Sequence, residues 1–429
     1  MKRFVTFTEL VNSFRNRSGN ALIYDRGGSI CSMTYPELAA AIFEEAGNIT
    51  KPAPEVILAD HTPDAIVRLF AAVISGCSVV LADPDLPNEW AYQVVKMLPE
   101  PAAPEDRDDD EGYEGEILFA TSGTTARSKI VRLTSGSLCA SAWSGQSMLA
   151  CGESDRILSM LPLSHVFGFV CTMLWGFAYG AEIALGRGAR HLVEDALYFK
   201  PTILPVVPTL IVALMRFHAL NPELRVVLVG AAPCSRETTA SLSAAGIDVY
   251  FGYGLTETSS GIAITQDLDE PEALYPCPGA DIRIEADGEV SVATPCMMKG
   301  YLGQPEMQEG ARFMTGDLGS FDEKGRLHLS GRKKDVIITA DGTKIYCPEY
   351  ETELSQATGC PELALIMKNG HAALVSFGVD RDKVKEAVGE FNRGKMRSQQ
   401  IYDLIEAEGP LPRTVTGKLK RYEIQEKYS

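Results

Sequence analysis

Residues 118–131, Leu-Phe-Ala-Thr-Ser-Gly-Thr-Thr-Ala-Arg-Ser-Lys-Ile-Val, place small hydroxyl residues and a glycine between two strand-like segments. The first segment is Ile117–Ala120, and the second, Ile130–Leu133, follows Lys129. Such a loop gathers backbone N–H groups and O–H donors, which suits a polyphosphate because its oxygens only accept hydrogen bonds. It is not a Walker A loop, since no second glycine precedes the lysine. Taken alone, the stretch fits a phosphate site and a Ser/Thr-rich hairpin turn equally well.

Composition is typical of an ordinary globular protein. The chain has 429 residues, more than one core usually holds, so we expect two or more domains. The net charge of −17 argues against nucleic acid as a partner, because neutralising phosphates needs a basic surface. Ten cysteines without a CxxC pair predict reduced thiols and a cytoplasmic protein. We expect no signal peptide and no membrane span, since glycines interrupt the most apolar region, 166–185.

Strands and helices alternate over the first part of the chain. The expected elements are a strand end running into a helix at 33–38, strands at 56–60, 79–82, 157–162, 203–207, 226–229 and 249–251, and a helix at 63–75. This order predicts a parallel sheet with both faces covered. Turn residues follow the last three of these strands, at 208–209, 230–233 and 252–254. Ligands collect at the carboxyl ends of such strands, so these turns and the opening loop form one candidate site.

The pattern changes after residue 281, where apolar and polar residues alternate. Hairpin turns at 287–288 and 322–325 predict an antiparallel subdomain. A strand at 336–338 opens a segment with its own α and β pattern, which predicts a small separate domain. Earlier in the chain, the acidic run 105–116 is interpreted as a solvated surface connection.

Motifs in a fixed order carry a resemblance to a known family. They are Thr121–Lys129, Pro162–His165 with Gly168, Gly230–Pro233, Tyr253–Glu257, Gly300-Tyr301, Thr315–Asp317, Gly331–Asp335, Gly342, and Pro412–Lys418 with Arg421. This series resembles the adenylate-forming (AMP-binding) superfamily, in its acyl- and aryl-CoA ligase type. The similarity extends over nearly the whole chain, since 33–38 and the strand–helix–strand unit match as well.

The resemblance implies a mixed α/β (α+β) fold in two parts. A large N-terminal domain, 1–331, would consist of stacked α/β sheets plus a β-subdomain. A hinge at 332–335 would connect it to a small mobile C-terminal α+β lid domain, 336–429, which carries the catalytic lysine. Rotation about Lys334 would exchange that lysine for a thiol tunnel near Gly342.

The resemblance also implies a reaction. ATP and Mg²⁺ would convert an aryl or aliphatic monocarboxylate into an acyl-adenylate, and coenzyme A would then take the acyl group as a thioester. The implied catalytic residues are Lys418, Thr256, Glu257 and His165, with Glu257 the ligand of Mg²⁺. The implied cofactor-binding residues are Thr121, Ser122, Gly123, Thr124, Thr125, Lys129, Gly230, Ala231, Ala232, Tyr253, Gly254, Thr256, Asp317, Arg332 and Lys334.

Individual roles follow the family pattern. The opening loop with Lys129 would hold the β- and γ-phosphates, and Thr256 the α-phosphate. Tyr253 would stack on adenine, and Asp317 would accept from both ribose hydroxyls with Arg332 beside it. Lys418 would bridge the substrate carboxylate and the α-phosphate as a point charge.

The acyl substrate is less readable than the nucleotide. The expected pocket walls are His165, Val207, Thr209, Ala231, Phe251, Gly252 and Thr258. They are small or apolar, which favours an aryl or aliphatic monocarboxylic acid over an amino acid, whose ammonium group would need a buried acidic partner. From the residues alone, a histidine in so apolar a run is more often a core or rim residue than a base.

Departures from the family pattern leave alternatives open. Ala126, Ser128 and Ile130 replace a glycine, a proline and a glycine of the phosphate loop. The chain is also shorter than typical members, which leaves room for the pantetheine thiol of a carrier protein as the acceptor. An alternative of another class is a catalytically silent paralogue that binds a nucleotide or acyl ligand. The oligomeric state is not readable from the sequence.

Overall fold

The computed structural model of the protein describes residues 2–99, 113–121, 129–230, 232, 234–413 and 419–429. Predictions that fall on 122–128, on Ala231 and Pro233, or on 414–418 with Lys418 therefore lie outside the described residues. The same holds for most of the acidic run, up to residue 112.

Strands make up most of the ordered core. Those within the described residues are β1 (Asn20–Arg26), β2 (Ser29–Thr34), β3 (Glu55–Leu58), β4 (Val79–Ala82), β5 (Ile117–Ala120), β6 (Ile130–Leu133), β7 (Arg156–Ser159), β8 (Glu182–Leu185), β9 (Ile203–Val206), β10 (Val226–Val229), β11 (Asp248–Leu255), β12 (Ser260–Thr265), β13 (Leu274–Pro276), β14 (Asp281–Ile284), β15 (Glu289–Ala293), β16 (Gly300–Tyr301), β17 (Phe313–Phe321), β18 (Leu327–Arg332), β19 (Val336–Ile338), β20 (Lys344–Tyr346), β21 (Leu363–Lys368), β22 (His371–Ser376) and β23 (Ile401–Glu406).

Helices cover the sheets. They are α1 (Phe7–Phe14), α2 (Tyr35–Asn48), α3 (Pro63–Ile74), α4 (Glu89–Val95), α5 (Ser135–Met148), α6 (Val166–Phe169), α7 (Trp175–Tyr179), α8 (Leu192–Phe199), α9 (Pro208–Arg216), α10 (Arg236–Ala244), α11 (Cys347–Thr358), α12 (Arg381–Arg393) and α13 (Arg421–Tyr428). A π-helical turn, Val170–Leu174, joins α6 to α7. Within the described ranges, no helix combines the length and the apolar character that crossing a membrane requires.

Local sequence signals explain where the first helices begin. Thr34 caps α2 through a capping box with Glu37, and Pro36 follows in the first turn, where its missing N–H costs nothing. Thr62 accepts a hydrogen bond from the backbone N–H of Ala65 at the start of α3. The predicted strand-to-helix transition at 33–38 is confirmed.

The smaller sheet has the strand order β16-β6-β5-β4-β3. Strands β3, β4 and β5 are parallel, whereas β6 pairs antiparallel with β5 and with β16. The predicted strand–helix–strand unit is therefore confirmed as β3-α3-β4. Because β5 and β6 are adjacent and antiparallel, the loop between them starts and ends at the same edge of the sheet.

The larger sheet runs in the order β14-β15-β17-β18-β13-β12-β11-β10-β9-β7-β8-β1-β2 over the described strands. The pairing is parallel from β1 through β8, β7, β9 and β10 to β11. From β11 onward in this order, through β12, β13, β18, β17 and β15 to β14, the pairing is antiparallel. The mixed α/β fold with large sheets and an antiparallel region is thus as predicted. Hairpins β14-β15 and β17-β18 occur at the two predicted turns.

Strand β11 corrects one prediction. The residues Gly252, Tyr253 and Gly254 were expected to end the strand as a turn, but β11 continues through Leu255. Its first half pairs with β10 and its second half with β12. The physical reason is that glycine lets β12 approach closely, because a Cβ at Gly254 would lie 1.7 Å from the carbonyl oxygen of Ser260.

The end of the acidic run is also not a solvated connection. The carboxylate of Glu114 accepts hydrogen bonds from the backbone N–H groups of Phe7 and Thr8 at the start of α1. The carboxylate of Glu116 is half-buried between Arg132 and Lys299, with N···O distances of 2.7 Å to each. These carboxylates fix α1 and join β5 to β6 and β16.

Residues after 335 form smaller sheets of their own. Strands β19 and β20 make a hairpin, while β21, β22 and β23 make a three-stranded sheet packed with α11, α12 and α13. Arg421 ties this part together, since its guanidinium donates to Asp335 beside β18 and to both oxygens of Glu351 on α11. The division into 1–331, a hinge at 332–335 and 336–429 stays a prediction.

Candidate active site

One cleft of about 980 Å³ collects most of the described residues that the sequence singled out. It lies where the ends of β5, β10 and β11 meet the antiparallel strands. The predicted site residues that line it are Thr121, Lys129, His165, Val207, Thr209, Gly230, Ala232, Gly252, Tyr253, Gly254, Thr256, Glu257, Arg332 and Lys334. Ser122, Gly123, Thr124, Thr125, Ala231 and Lys418 lie outside the described residues.

The ends of the opening loop meet at this cleft. The backbone N–H of Thr121 donates to the carbonyl of Lys129 at 2.9 Å, and the N–H of Lys129 donates to Thr121 Oγ1 at 3.3 Å. Below them, Ala120 and Ile130 are paired across β5 and β6. The hairpin therefore fixes where the loop leaves and returns, with the lysine at the rim of the cleft.

A tight turn after β11 presents Thr256 and Glu257 to the cleft. The Thr258 hydroxyl stabilises this turn, because it accepts from the N–H of Leu255 and lies 2.8 Å from the Ser260 carbonyl. Thr258 is fully buried and does not line the cleft, so its prediction as a pocket wall is wrong. The left-handed φ of 102° at Ser260 marks how sharply the chain reverses here.

Glu257 has a partner that the sequence did not assign. The hydroxyl of Tyr301, on β16, donates to Glu257 Oε1 at 2.8 Å. The ammonium of Lys129 lies 4.5 Å from the centre of the same tyrosine ring, within cation–π range. Burial, and then the neighbouring carboxylate, raises the pKa of Tyr301, so the hydroxyl keeps the proton that it donates. One tyrosine thus positions two residues with predicted roles toward phosphate and magnesium.

Asp317 is the centre of a second network. It lies on β17 directly opposite Arg332 on β18, and the guanidinium Nε is 2.9 Å from Asp317 Oδ1. The Tyr253 hydroxyl donates to Asp317 Oδ2 at 2.8 Å. Burial raises the pKa of Asp317 even though Arg332 opposes the shift. Asp317 is buried at the edge of the cleft, where both of its partners, Tyr253 and Arg332, line the wall.

Phe251 also corrects a prediction. It was expected in the acyl pocket, but its side chain is buried in the core with Val229 and Val249. The alternation along β11 explains the difference, since the next residue, Gly252, lines the cleft. The Leu228 side chain is the nearest group to a Cβ built on Gly252, at 3.7 Å.

His165 lines the cleft at the start of α6. It is accessible to water, yet the concave wall surrounds it with protein atoms, and this desolvation lowers the pKa of the imidazole despite the negative charge of Asp83. A second histidine, His61, contacts the carbonyl of Leu161 through Nε2 at 3.1 Å, and burial lowers the pKa of His61 as well. Both rings are therefore neutral around pH 7.

The cleft has two chemically distinct halves. The polar half is lined by Thr121, Lys129, Tyr253, Thr256, Glu257, Tyr301, Arg332 and Lys334. The apolar half is lined by Ser141, Ala142, Gly145, Leu149, Val170, Cys171, Trp175, Gly261, Ala263 and Cys277. Sequence reasoning missed the residues of the apolar half, because no motif contains them. It also missed Tyr301, although Gly300-Tyr301 was noted as a motif and could have pointed to it.

Comparison with known proteins agrees with this arrangement. The AMP-binding enzyme family matches residues 109–302. A 2-succinylbenzoate–CoA ligase from Lactococcus lactis is 30% identical to this chain over 326 residues, covering 72% of this chain and 70% of its own length. A long-chain-fatty-acid–CoA ligase from Mycobacterium tuberculosis is 25% identical over 95% of this chain and 88% of its own. The chain belongs to the AMP-binding enzyme family, among its adenylate-forming acyl- and aryl-CoA ligases.

Solved structures share the fold. The o-succinylbenzoate CoA synthetase from Bacillus subtilis, in complex with its acyl-adenylate intermediate, superposes with a TM-score of 0.78 at 23% identity. The alignment covers 99% of this chain and 98% of that one. The similarity therefore extends over both the large sheets and the part after residue 335.

Proposed function

We propose that this protein is an ATP-dependent acid–thiol ligase. In the first step an oxygen of the substrate carboxylate attacks the α-phosphorus of ATP, which forms the acyl-adenylate and expels pyrophosphate. In the second step a thiol attacks the acyl carbon, which forms the thioester and releases AMP. The observation that carries the proposal is that Lys129, Glu257, Tyr253 and Arg332, which come from distant parts of the chain, line one cleft.

The polar half would bind ATP by its phosphates and ribose. Lys129 supplies a positive charge at the loop that the resemblance assigns to the β- and γ-phosphates, and Thr256 a hydroxyl for the α-phosphate. Arg332 and Tyr253 hold Asp317 in place, which leaves the remaining lone pairs of its oxygens for ribose hydroxyls. Such fixed donors stabilise the reaction mainly by positioning and charge neutralisation.

Magnesium fits the residues at the same end. Within the described ranges no group of three or more His, Cys, Asp or Glu side chains could hold a metal ion, so an all-protein cage is not formed there. A single carboxylate, Glu257, lines the cleft where phosphate oxygens would complete the ligand set, as Mg²⁺ prefers. When bound, the ion would neutralise phosphate charge. Tyr301 would hold the Glu257 carboxylate toward it.

The second step requires a thiol and a way to withdraw the first-step lysine. The proposed acceptor is coenzyme A, because the similar curated proteins are named as CoA ligases. The proposed hinge is Lys334, beside Lys333, whose ammonium is held by Asp287 and Glu289 at 2.7 and 2.8 Å. Lys418 is proposed as the lysine of the first step, and His165 as a neutral wall residue beside the reacting carboxylate.

A two-step assay tests the proposal. ATP–pyrophosphate exchange is measured with a broad panel of carboxylic acids, and thioester formation is measured with coenzyme A and with a carrier protein bearing pantetheine. Exchange with at least one acid is expected, followed by transfer to coenzyme A. No exchange with any acid would favour a catalytically silent paralogue, whereas transfer only to the carrier protein would correct the acceptor.

The lysine variant Lys418→Ala separates the two steps. We expect it to lose adenylate formation by about 10²–10³-fold but to form thioester from a supplied acyl-adenylate. Lys420→Ala is the matched control, because the Lys420 ammonium forms a partly exposed pair with Glu423 at 3.0 Å. Loss of both steps in Lys418→Ala would contradict the alternation of the C-terminal domain.

A further inference from the structure

We propose that the apolar half of the cleft selects a monocarboxylic acid that bears a ring and has no charge other than its carboxylate. We propose further that Gly145 and Gly261 determine this specificity. The inference rests on the proposed function, because it names the substrate of that reaction. It follows from the space in the cleft that side chains at these two positions would occupy.

Neither glycine is required by the backbone or by packing. Gly145 lies inside α5, where glycine is a poor helix former, and Gly261 lies inside β12. Neither has the left-handed φ that would favour glycine, and a Cβ built on either meets no atom within 4 Å. Both residues line the cleft, so their missing side chains leave space in the cleft itself.

Other glycines of the cleft show the contrast. A Cβ on Gly168 would lie 2.3 Å from the carbonyl oxygen of Pro162, and one on Gly230 would lie 2.6 Å from the ring of Phe167. Gly254 is required by the close approach of β12. These three glycines are required by close packing of the fold. The absence of a side chain at Gly145 and Gly261 instead enlarges the cleft.

Helix α5 and strand β12, which carry the two glycines, are held in a fixed position relative to each other. At one end of α5 the Ser259 hydroxyl donates to Ser137 Oγ at 3.1 Å, and at the other end Gln266 Nε2 donates to the carbonyl of Met148 at 2.9 Å. The helix is therefore fastened along β12 at both ends. The space beside Gly145 and the space beside Gly261 are therefore part of the fixed structure.

Trp175, which lines the same half of the cleft from α7, is held in place as well. The indole N–H of Trp175 donates to Gln146 Oε1 at 2.6 Å, and the same amide group exchanges two hydrogen bonds with the backbone of Cys151. Trp175 is 4% exposed and lines the cleft beside the π-helical turn, a feature that is frequent at functional sites.

The apolar half offers no charge to a second polar group of the substrate. The charged residues that line the cleft within the described ranges are Lys129, Glu257, Glu289, Arg332 and Lys334, and none of them lies on α5, β12 or the helical segment 166–179. The thiol of Cys171 is neutral, since burial raises its pKa to about 11. A second carboxylate in this space would lose its hydration without gaining a partner.

Small residues on α5 and on β12 leave a slot in this half of the cleft that is wide as well as apolar. Ser141, Ala142 and Gly145 follow helical spacing on α5, and Gly261 and Ala263 alternate on β12. A flat ring would fill such a slot, whereas a straight alkyl chain would leave part of it empty and lose contacts. The chemistry therefore favours a ring-bearing acid without a second charge.

The test compares acids in the purified full-length protein. Acid-dependent ATP–pyrophosphate exchange is measured with benzoate, trans-cinnamate, hexanoate and 2-succinylbenzoate. We expect kcat/KM for the better ring monocarboxylate to exceed that for hexanoate about tenfold and that for 2-succinylbenzoate about 100-fold. In the double variant Gly145→Ala, Gly261→Ala, the value for the ring acid should fall about 100-fold, while that for hexanoate changes less than about threefold.

Controls separate specificity from folding. Gly47→Ala, also near the end of a 14-residue helix and also in open space but outside the cleft, should leave every ratio unchanged. The single variant Gly145→Ala should melt at or above the parent temperature, because alanine favours the helix. Preference for hexanoate or for 2-succinylbenzoate, or an unchanged ratio in the double variant, would overturn the inference and leave the proposed function intact. Failure of every acid in the broad panel would overturn both.

Discussion

The two halves of the cleft are built by opposite means. In the polar half, side chains from β11, from the turn after it and from β16, β17 and β18 hold one another in place through Tyr301–Glu257 and Arg332–Asp317–Tyr253. In the apolar half, one glycine on α5 and one on β12 leave space beside them, and the helix is fastened to the ends of the strand. The first half is defined by contacts that are present, the second by side chains that are absent.

The difference explains what each half can specify. A fixed polar network suits ATP, whose charges and donors are the same for every acid that is activated. A gap between fixed walls suits the acid, since a change of one methyl group alters which ring or chain fits, at about 1–3 kcal/mol. The shared chemistry of the reaction and the choice of substrate therefore reside in different parts of one cleft.

The largest expected effect removes the carboxylate of the polar half. Glu257→Gln should lower kcat/KM for ATP in adenylate formation about 10³-fold, because an amide lacks the negative charge that binds Mg²⁺. Pyrophosphate exchange at saturating acid measures this. Glu306→Gln is the control, since that exposed carboxylate pairs with Arg132 and Lys299 and does not line the cleft. Equal activity of Glu257→Gln and the parent would remove the polar half from the mechanism.

A second change tests the ribose end of the same half. Asp317→Asn should raise KM for ATP about 100-fold, because it removes a charged acceptor that is already held by two donors. Tyr253→Phe, which removes one of those donors, should raise it about tenfold. If KM for the acid rose and KM for ATP did not, the assignment of the two halves would be reversed.

A smaller effect is expected where one residue positions two others. Tyr301→Phe should lower kcat about tenfold, since it removes one hydrogen bond to the Glu257 carboxylate and leaves the ring under Lys129. Raising the Mg²⁺ concentration should recover part of this loss, which a merely structural tyrosine would not allow. Tyr402→Phe, at an exposed hydroxyl that donates to the Arg397 carbonyl, provides the matched control.

The smallest effect concerns His61, whose ring contacts the carbonyl of Leu161. Burial lowers the pKa of His61 from its ordinary 6.5, although Asp83 opposes the shift. Below pH 6.5 the unfolded chain therefore binds more protons, so the free energy of unfolding should fall as the pH decreases. Thermal melts from pH 7.5 to 5.5 should show a shallower decline in His61→Phe than in the parent. An identical decline would mean that His61 is not desolvated.

Much of the fold followed from local sequence signals. The strand–helix–strand unit β3-α3-β4 and the hairpin at 287–288 appear where the pattern predicts them. The turn predicted at 252–254 was wrong, because the glycines that signal a turn here permit a close strand approach. Sequence pattern does not distinguish these two uses of glycine, since both need only a missing side chain.

Only those site residues that belong to a sequence motif could be predicted. Thr121, Tyr253, Glu257 and Arg332 were found because they belong to ordered motifs, and the structure brings them to one cleft. The apolar half could not be found this way, because Gly145 and Gly261 belong to no motif and come to one cleft only in the folded chain. Thr258 and Phe251 were misplaced since neighbouring residues in a turn or strand point to different sides.

The most direct measurement of the central claim is acid-dependent ATP–pyrophosphate exchange by the parent protein and by Glu257→Gln, run side by side with the ring acids. The account predicts exchange in the parent that requires both an acid and Mg²⁺, and a loss of about 10³-fold in the variant. Exchange that proceeds equally well without acid, or that survives in Glu257→Gln, would contradict it.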